Sequence, residues 1–178
     1  MSKFFGILIL SAFFLSCSSD LDFNQAKDVK SEPVVVLNLA TFDVPANEFV
    51  VNGAEQNVAG DILNFDVFRD TYFNDSLRRN DFYFEIDNTI NRAYRINLYL
   101  LDANNSPLYT IPFDVPAYSG VRNLVTKTEI FEKAKLDQLK KTKKIAFGIA
   151  MLPGPALSEN SLGSLKLRSS ATVYFVVE

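Results

Sequence analysis

The sequence predicts an all-β protein, an immunoglobulin-like antiparallel β-sandwich of about eight strands with one short helix near residues 134–141. Two observations lead to this fold class: short runs in which apolar and polar residues alternate, and the Asn, Asp, Gly and Pro clusters that separate them. Composition adds a third. The 178 residues include 16 Phe and 7 Tyr but no Trp, which indicates a core packed mainly with phenylalanine.

The first runs follow Pro33. Val34–Phe42 alternates and predicts a strand, which residues 44–47 turn and residues 49–51 follow as a short edge strand. Residues 61–69 also alternate, so that their apolar face is predicted to lie in the core. The side chains of that face are Leu63, Phe65 and Val67.

Two period-two runs come next, after a charged segment at residues 74–81 that is predicted to be a loop. Phe82–Asp87 and Tyr94–Leu100 are joined by a short turn segment, which predicts a hairpin. If they pair, their polar side chains form one flat face that could bind a partner. That possible binding face consists of Tyr83, Glu85, Asp87, Arg95, Asn97 and Tyr99.

The C-terminal half predicts strands at residues 108–115, 145–152 and 165–177, with Ser169-Ser170 marking a bulge or an edge in the last one. Residues 122–139 can be interpreted in two ways. A capping box at Thr126–Glu129 would open a helix through Leu139, or a strand would continue to Phe131 before a short helix. The second is favoured, with Leu136 and Leu139 closing the end of the core.

The N-terminus has the pattern of an export signal. Lys3 precedes a run of mostly apolar residues, Phe4–Leu15, that is too short to span a bilayer, and Ser16-Cys17 follows. The stretch resembles a bacterial lipoprotein signal peptide. The resemblance implies that residues 1–16 are removed and that Cys17 is lipidated.

The residues after the cysteine complete this organisation. Ser18, Ser19, Asp20 and Asp22 resemble the acidic surface-export signal of Bacteroidota lipoproteins, which implies an outer-membrane protein that faces outward; a plain polar tether is the alternative. The predicted domains are the signal peptide at 1–16, the lipidated cysteine with a polar tether at 17–32, and a single β-sandwich domain at 33–178.

Composition excludes several classes of function. The chain has no His and one Cys, so a Ser-His-Asp triad, a Cys-His pair and a histidine metal cage are all excluded. We therefore expect no catalytic residues, no cofactor and no metal site. Eighteen basic and 21 acidic residues give a net charge of −3, which argues against nucleic-acid binding.

Two clusters have both a functional and a structural interpretation. Glu85 and Asp87 have a spacing compatible with a glycosidase pair, but an ordinary solvated strand face explains them better. A lysine-rich stretch at residues 133–144 could meet anionic lipid headgroups or form the solvated side of a helix. Its members are Lys133, Lys135, Lys140, Lys141, Lys143 and Lys144.

Taken together, these features predict a non-enzymatic, lipid-anchored binding or assembly module of the outer membrane with a protein partner in the envelope. A glycan-capturing accessory lipoprotein is the alternative. A hydrolase that relies on carboxylates alone is a third.

Overall fold

The computed structural model describes residues 30–60, 62–65 and 71–177, of which residues 31–177 form one compact unit. The predicted signal peptide, the predicted lipidation site Cys17 and the acidic segment after it lie outside the described residues. Among the helices that are described, none is long and apolar enough to cross a membrane.

Strands make up most of this unit, and three short helices connect them. In chain order the elements are β1 (Val34–Pro45), a 3-10 helix (Ala46–Phe49), β2 (Val50–Val51), β3 (Ala54–Glu55), β4 (Val58–Ala59), β5 (Leu63–Asn64), α1 (Thr71–Ser76), β6 (Leu77–Asn88), β7 (Tyr94–Leu101), β8 (Pro107–Val115), β9 (Leu124–Phe131), α2 (Lys133–Lys141), β10 (Lys144–Met151) and β11 (Ser164–Phe175).

The strands form two packed antiparallel sheets, so the predicted all-β sandwich is confirmed. One sheet has the order β1-β11-β6-β9, and the other has the order β4-β10-β7-β8, with β5 pairing β10 beside β4. Because β4 and β5 share one position, the sandwich has eight strand positions. The chain crosses between the sheets in the manner of a jelly roll, so it is immunoglobulin-like only in the broad sense of two packed antiparallel sheets.

Phenylalanine rings fill much of the interior and share it with about as many leucine and isoleucine side chains each, so phenylalanine is a main component of the core but does not dominate it. The side chains of Phe82, Phe84 and Ile86 are fully buried on the inner face of β6. The Phe84 ring meets that of Phe113 from the opposite sheet, with centroids 5.0 Å apart, and the Phe82 ring lies 4.9 Å from that of Phe131. Edge-to-face and tilted contacts of this kind stabilise a core beyond the area that they bury.

The predicted hairpin between β6 and β7 is wrong. β6 pairs with β11 and β9, whereas β7 pairs with β10 and β8 in the other sheet. The reason lies in Asn88, whose Nδ2 donates to the carbonyls of Arg92 and Pro116, both at 2.8 Å, while its Oδ1 accepts the N–H of Ile90. These bonds turn the chain across the sandwich instead of back along the same sheet.

Two further predictions are corrected near β5. Phe65 is buried as expected, but Leu63 is 52% exposed, because β5 covers only two residues at the sheet edge; Val67 lies outside the described residues. The predicted loop at 74–81 is wrong, since its residues form the end of α1 and the start of β6.

The ambiguous segment before α2 is a strand followed by a short helix, as favoured. Thr126 pairs with Glu85 and Glu129 with Phe82 in the β6–β9 ladder, so the capping-box helix is wrong. Leu136 and Leu139 of α2 are buried and close the end of the core, as predicted.

The Ser169 prediction is also resolved, since a bulge lies opposite this residue in β1. The register of β1 and β11 shifts between Asn38 and Thr41. The Ser169 hydroxyl donates to the carbonyl of Ala40 at 2.7 Å and accepts its N–H at 3.0 Å. β11 lies between β1 and β6, so the serine pair does not mark an edge strand.

Candidate functional site

The six residues of the possible binding face do not meet. Tyr83, Glu85 and Asp87 lie on β6, whereas Arg95, Asn97 and Tyr99 lie on β7, and these strands belong to opposite sheets. Each trio alternates with buried residues of its strand and therefore lies on the outer face of its own sheet.

The β6 half of the predicted face contains a small charged depression. Arg122 Nε contacts Asp87 Oδ2 at 3.0 Å, and the Tyr83 hydroxyl donates to Glu85 Oε1 at 3.1 Å. The bond to Glu85, together with burial and the carboxylate charge, raises the pKa of Tyr83. The depression has a volume of about 30 Å³, which is enough for a water molecule or two and too small for a sugar ring. The lining residues are Glu85, Asp87, Arg122, Leu124, Lys166 and Arg168.

The β7 half of the predicted face is flat. Arg95 forms an exposed ion pair with Asp114 at 2.9 Å. The ring of Tyr99 lies across Gly148, where an added Cβ would come within 3.3 Å of Tyr99 Cε2. This half offers a surface of compensated charge and one aromatic ring.

Neither half combines the groups that a metal site needs. Among residues 30–60, 62–65 and 71–177, no group of three or more Cys, Asp or Glu side chains is arranged to hold a metal ion. Asp81, near the start of β6, instead forms two bonds of 2.7 Å to the guanidinium of Arg79.

A surface that the sequence did not single out lies at β1. This strand is at the edge of its sheet and pairs only with β11 among the described strands. Its first four residues, Val34–Leu37, are apolar and all exposed. Pairing with β11 places Val34 and Val36 on the outer face and Val35 and Leu37 on the inner one, so both faces of this edge are apolar.

The inner side of this edge opens into apolar clefts. One, of about 370 Å³, is lined by Val35, Leu37, Phe73, Val173 and Phe175. A second, of about 190 Å³, continues past Leu39 and includes Asn80, a buried residue whose Oδ1 has no hydrogen-bond partner among the described residues. The clefts lie where the two-residue strands β4 and β5 leave β1 without a full-length strand opposite it.

A buried cation holds the other end of the sandwich. Arg92 Nε donates to the carbonyl of Leu152 at 2.5 Å, and Nη1 donates to those of Gly154 at 2.8 Å and Pro155 at 2.5 Å. Its Nη2 pairs with Glu55 Oε2 at 3.0 Å. Arg92 therefore ties the β6–β7 turn to the loop after β10 and to β3, which is a structural role.

A second charged cluster ties α2 to the two sheets. Glu129 on β9 accepts a bond from the Tyr109 hydroxyl at 2.8 Å and pairs with Lys135 of α2, whose ammonium lies 4.9 Å from the centroid of the Tyr109 ring. Burial raises the pKa of Glu129, but the bonds from Lys135 and Tyr109 and the lysine charges outweigh it, so the net pKa is lowered.

The lowered pKa of Glu129 predicts a pH dependence of stability. A carboxylate of this kind stabilises the fold above its unfolded pKa of about 4.3, and the contribution is lost as pH falls through the lower folded value. We expect Glu129→Gln to lower the free energy of unfolding by roughly 1.5 kcal/mol at pH 7. Between pH 5 and 3 the free energy of unfolding of the variant should fall less than that of the parent. Thermal melts across this range test it, with the exposed Glu159→Gln as control; parallel curves for Glu129→Gln and the parent would contradict it.

Comparison with known proteins gives no family. No family model matches the chain, and no curated protein matches it. Among solved structures it is similar to the T13 particle of infectious bursal disease virus (TM-score 0.47, 12% identity, 81% of this chain and 31% of that one) and to the Gx strain of that virus (TM-score 0.47, 13% identity, 81% and 32%).

A third similar structure is that of desmodium yellow mottle tymovirus, with a TM-score of 0.35 and 8% identity over 83% of this chain and 90% of that one. The chain spans about a third of the length of the two bursal disease virus chains. At these TM-scores and identities the likeness carries no implication for function.

Proposed function

We propose that this protein is a lipid-anchored, non-enzymatic binding or assembly module of the outer membrane that faces outward and adds a strand of a partner protein to β1. The anchor rests on the resemblance of the N-terminal segment to a lipoprotein signal. The observation that carries the binding role is the edge strand β1, with Val34–Leu37 apolar and exposed on both faces.

Edge strands of this kind are normally protected. Natural sheets place a lysine or a proline on an exposed edge, or cover the edge with another element, because unpaired backbone N–H and C=O groups recruit other strands. Residues 34–37 contain neither lysine nor proline. A partner strand added here would gain main-chain hydrogen bonds, and its inward side chains would enter the cleft beside Phe73 and Phe175.

Site-specific photocrosslinking in whole cells tests this role. A photoreactive amino acid at Val36, which points outward from the edge, should give a discrete adduct with one partner protein. The same group at Val121, which is exposed in the loop before β9, serves as the matched control and should give no such adduct.

A blocking variant sharpens the result. Val34→Lys places a charge on the edge without removing a buried contact, so the melting temperature should stay unchanged while the adduct from position 36 falls at least tenfold. An adduct that forms equally from position 121, or one that persists in the lysine variant, would show that β1 is not the binding edge.

A further inference from the structure

The end of the sandwich where the described chain begins also carries a group of lysines that form no ion pair with the described residues. Ser31 forms an isolated bridge with Val177, next to the start of β1 and the end of β11. At the same end, Phe175 pairs with Leu77 at the start of β6, and Asn80 pairs with Phe131 at the end of β9. Because α2 begins two residues after Phe131, it lies at the end from which the chain leads back to Cys17.

Most lysines of this region are uncompensated. Within α2 and the residues just after it, Lys135 pairs with Glu129 and Lys144 bonds to Asn105 Oδ1 at 2.7 Å. The remaining four form no ion pair with any described residue. These four are Lys133, Lys140, Lys141 and Lys143, and all are exposed or half-buried.

The packing of α2 against the core determines which side of this helix faces outward. Leu136 and Leu139 of α2 are buried against the core, so the opposite side of the helix faces outward from the end of the sandwich. In contrast, four of the cations toward the opposite end of the sandwich are compensated, in the pairs Asp43–Lys166, Asp87–Arg122, Arg95–Asp114 and Glu55–Arg92. Lys133, Lys140 and Lys141 of α2, with Lys143 just after it, therefore lie at the end of the sandwich where the described chain begins.

We propose that Lys133, Lys140, Lys141 and Lys143, the α2 lysine face, rest on a membrane surface of anionic lipid headgroups and so orient the sandwich. This inference rests on the proposed lipid anchor, since the anchor keeps the domain within reach of the surface. The 13 residues between Cys17 and Ser31 could span at most about 45 Å, so the anchor limits the distance of the domain from the surface, and charge complementarity can fix its orientation.

The expected size of the effect follows from the lysines. A lysine close to an anionic surface contributes about fivefold to binding at physiological salt, and the effect falls away within a Debye length of about 8 Å. Four such residues should therefore shift the orientation of the anchored domain at least tenfold. In that orientation the loops at the Arg92 end point away from the membrane.

Fluorescence quenching on vesicles tests this orientation. The lipidated protein carries one introduced cysteine labelled with a fluorophore, either Gln138→Cys on the exposed side of α2 or Leu162→Cys in the exposed loop at the opposite end. Vesicles of phosphatidylcholine, with or without 30% phosphatidylglycerol, contain a lipid with a quencher in its headgroup. We expect quenching at position 138 to rise at least tenfold with the anionic lipid and to fall in 0.5 M salt, with position 162 unquenched throughout.

The quadruple variant Lys133→Gln, Lys140→Gln, Lys141→Gln, Lys143→Gln should abolish this quenching and keep the parent's melting temperature, because none of these side chains forms an ion pair in the fold. Quenching at 138 that is independent of anionic lipid, unchanged in the quadruple variant, or weaker than at 162 would overturn the proposal. Flotation with neutral vesicles reports the anchor separately, and the β1 crosslink reports the partner, so failure of the proposed function is distinguishable from failure of this inference.

Discussion

Replacing Arg92 by alanine should lower the free energy of unfolding by about 3 kcal/mol, the largest loss that we expect from a single charged residue in this protein. The Arg92 side chain is 9% exposed and that of Glu55 is 29% exposed. Truncation removes the ion pair of Glu55, which keeps a bond from the Leu157 N–H, and removes the donor to the carbonyls of Leu152, Gly154 and Pro155. An unpaired group in a largely buried site keeps most of its desolvation cost.

A second ion pair provides the control. Arg95 and Asp114 lie 2.9 Å apart, close to the 3.0 Å of the Arg92–Glu55 pair, but their side chains are 55% and 73% exposed. Arg95→Ala should therefore change the free energy of unfolding by less than about 0.5 kcal/mol. Urea denaturation of both variants measures the difference. The loss of unfolding free energy for Arg92→Lys should lie between those for Arg92→Ala and Arg95→Ala, because a single ammonium cannot form all the bonds of the guanidinium. Equal losses for the two alanine variants would show that burial of the ion pair does not determine its contribution to stability.

Replacing Cys17 by serine should release the protein from the membrane fraction and abolish its labelling by fatty acid, with at least a tenfold shift to the soluble fraction. Each buried methylene contributes about 0.8 kcal/mol to anchoring, so the loss of two or three acyl chains leaves the α2 lysines as the main remaining attraction. Fractionation of cells that express the parent and the variant measures this. Unchanged membrane association in the variant would refute the anchor.

The acidic residues give a matched variant that should keep the anchor. Asp20→Ala combined with Asp22→Ala should leave the protein in the membrane fraction and remove its accessibility to protease added to whole cells. If the double variant on whole cells is still cleaved by added protease, the segment after Cys17 acts as a tether and not as an export signal.

Local alternation was sufficient to predict which face of a strand is buried, but not which strand lies beside it. The inward positions of β6 and β7 follow from period-two patterns that each strand contains by itself. Their assignment to different sheets depends on Asn88, which reaches the carbonyl of Pro116, and on Thr89, whose N–H and hydroxyl both donate to the carbonyl of Ser164. These partners are distant in the sequence, and no local pattern indicates them.

The exposed apolar edge at β1 and the buried Arg92 were not predicted from the sequence, for related reasons. The apolar run Val34–Leu37 is typical of a strand covered on both faces, and only the tertiary structure shows that the opposite sheet provides two short strands there. Arg92 lies in a turn, where an arginine is usually solvated. Its burial depends on loops that come more than 60 residues later, so its own neighbourhood gives no sign of it.

The bond between Ser169 and Ala40 limits how far any strand can extend along β1. A bulge interrupts the regular spacing of main-chain groups and twists the edge, so an incoming segment meets two regular five-residue stretches, Val34–Asn38 and Thr41–Pro45, instead of one along the whole strand. Five residues are enough for a specific short strand and too few for an extended cross-β stack. One hydroxyl group in the middle of a sheet thus limits the length of strand that could add at the proposed docking site.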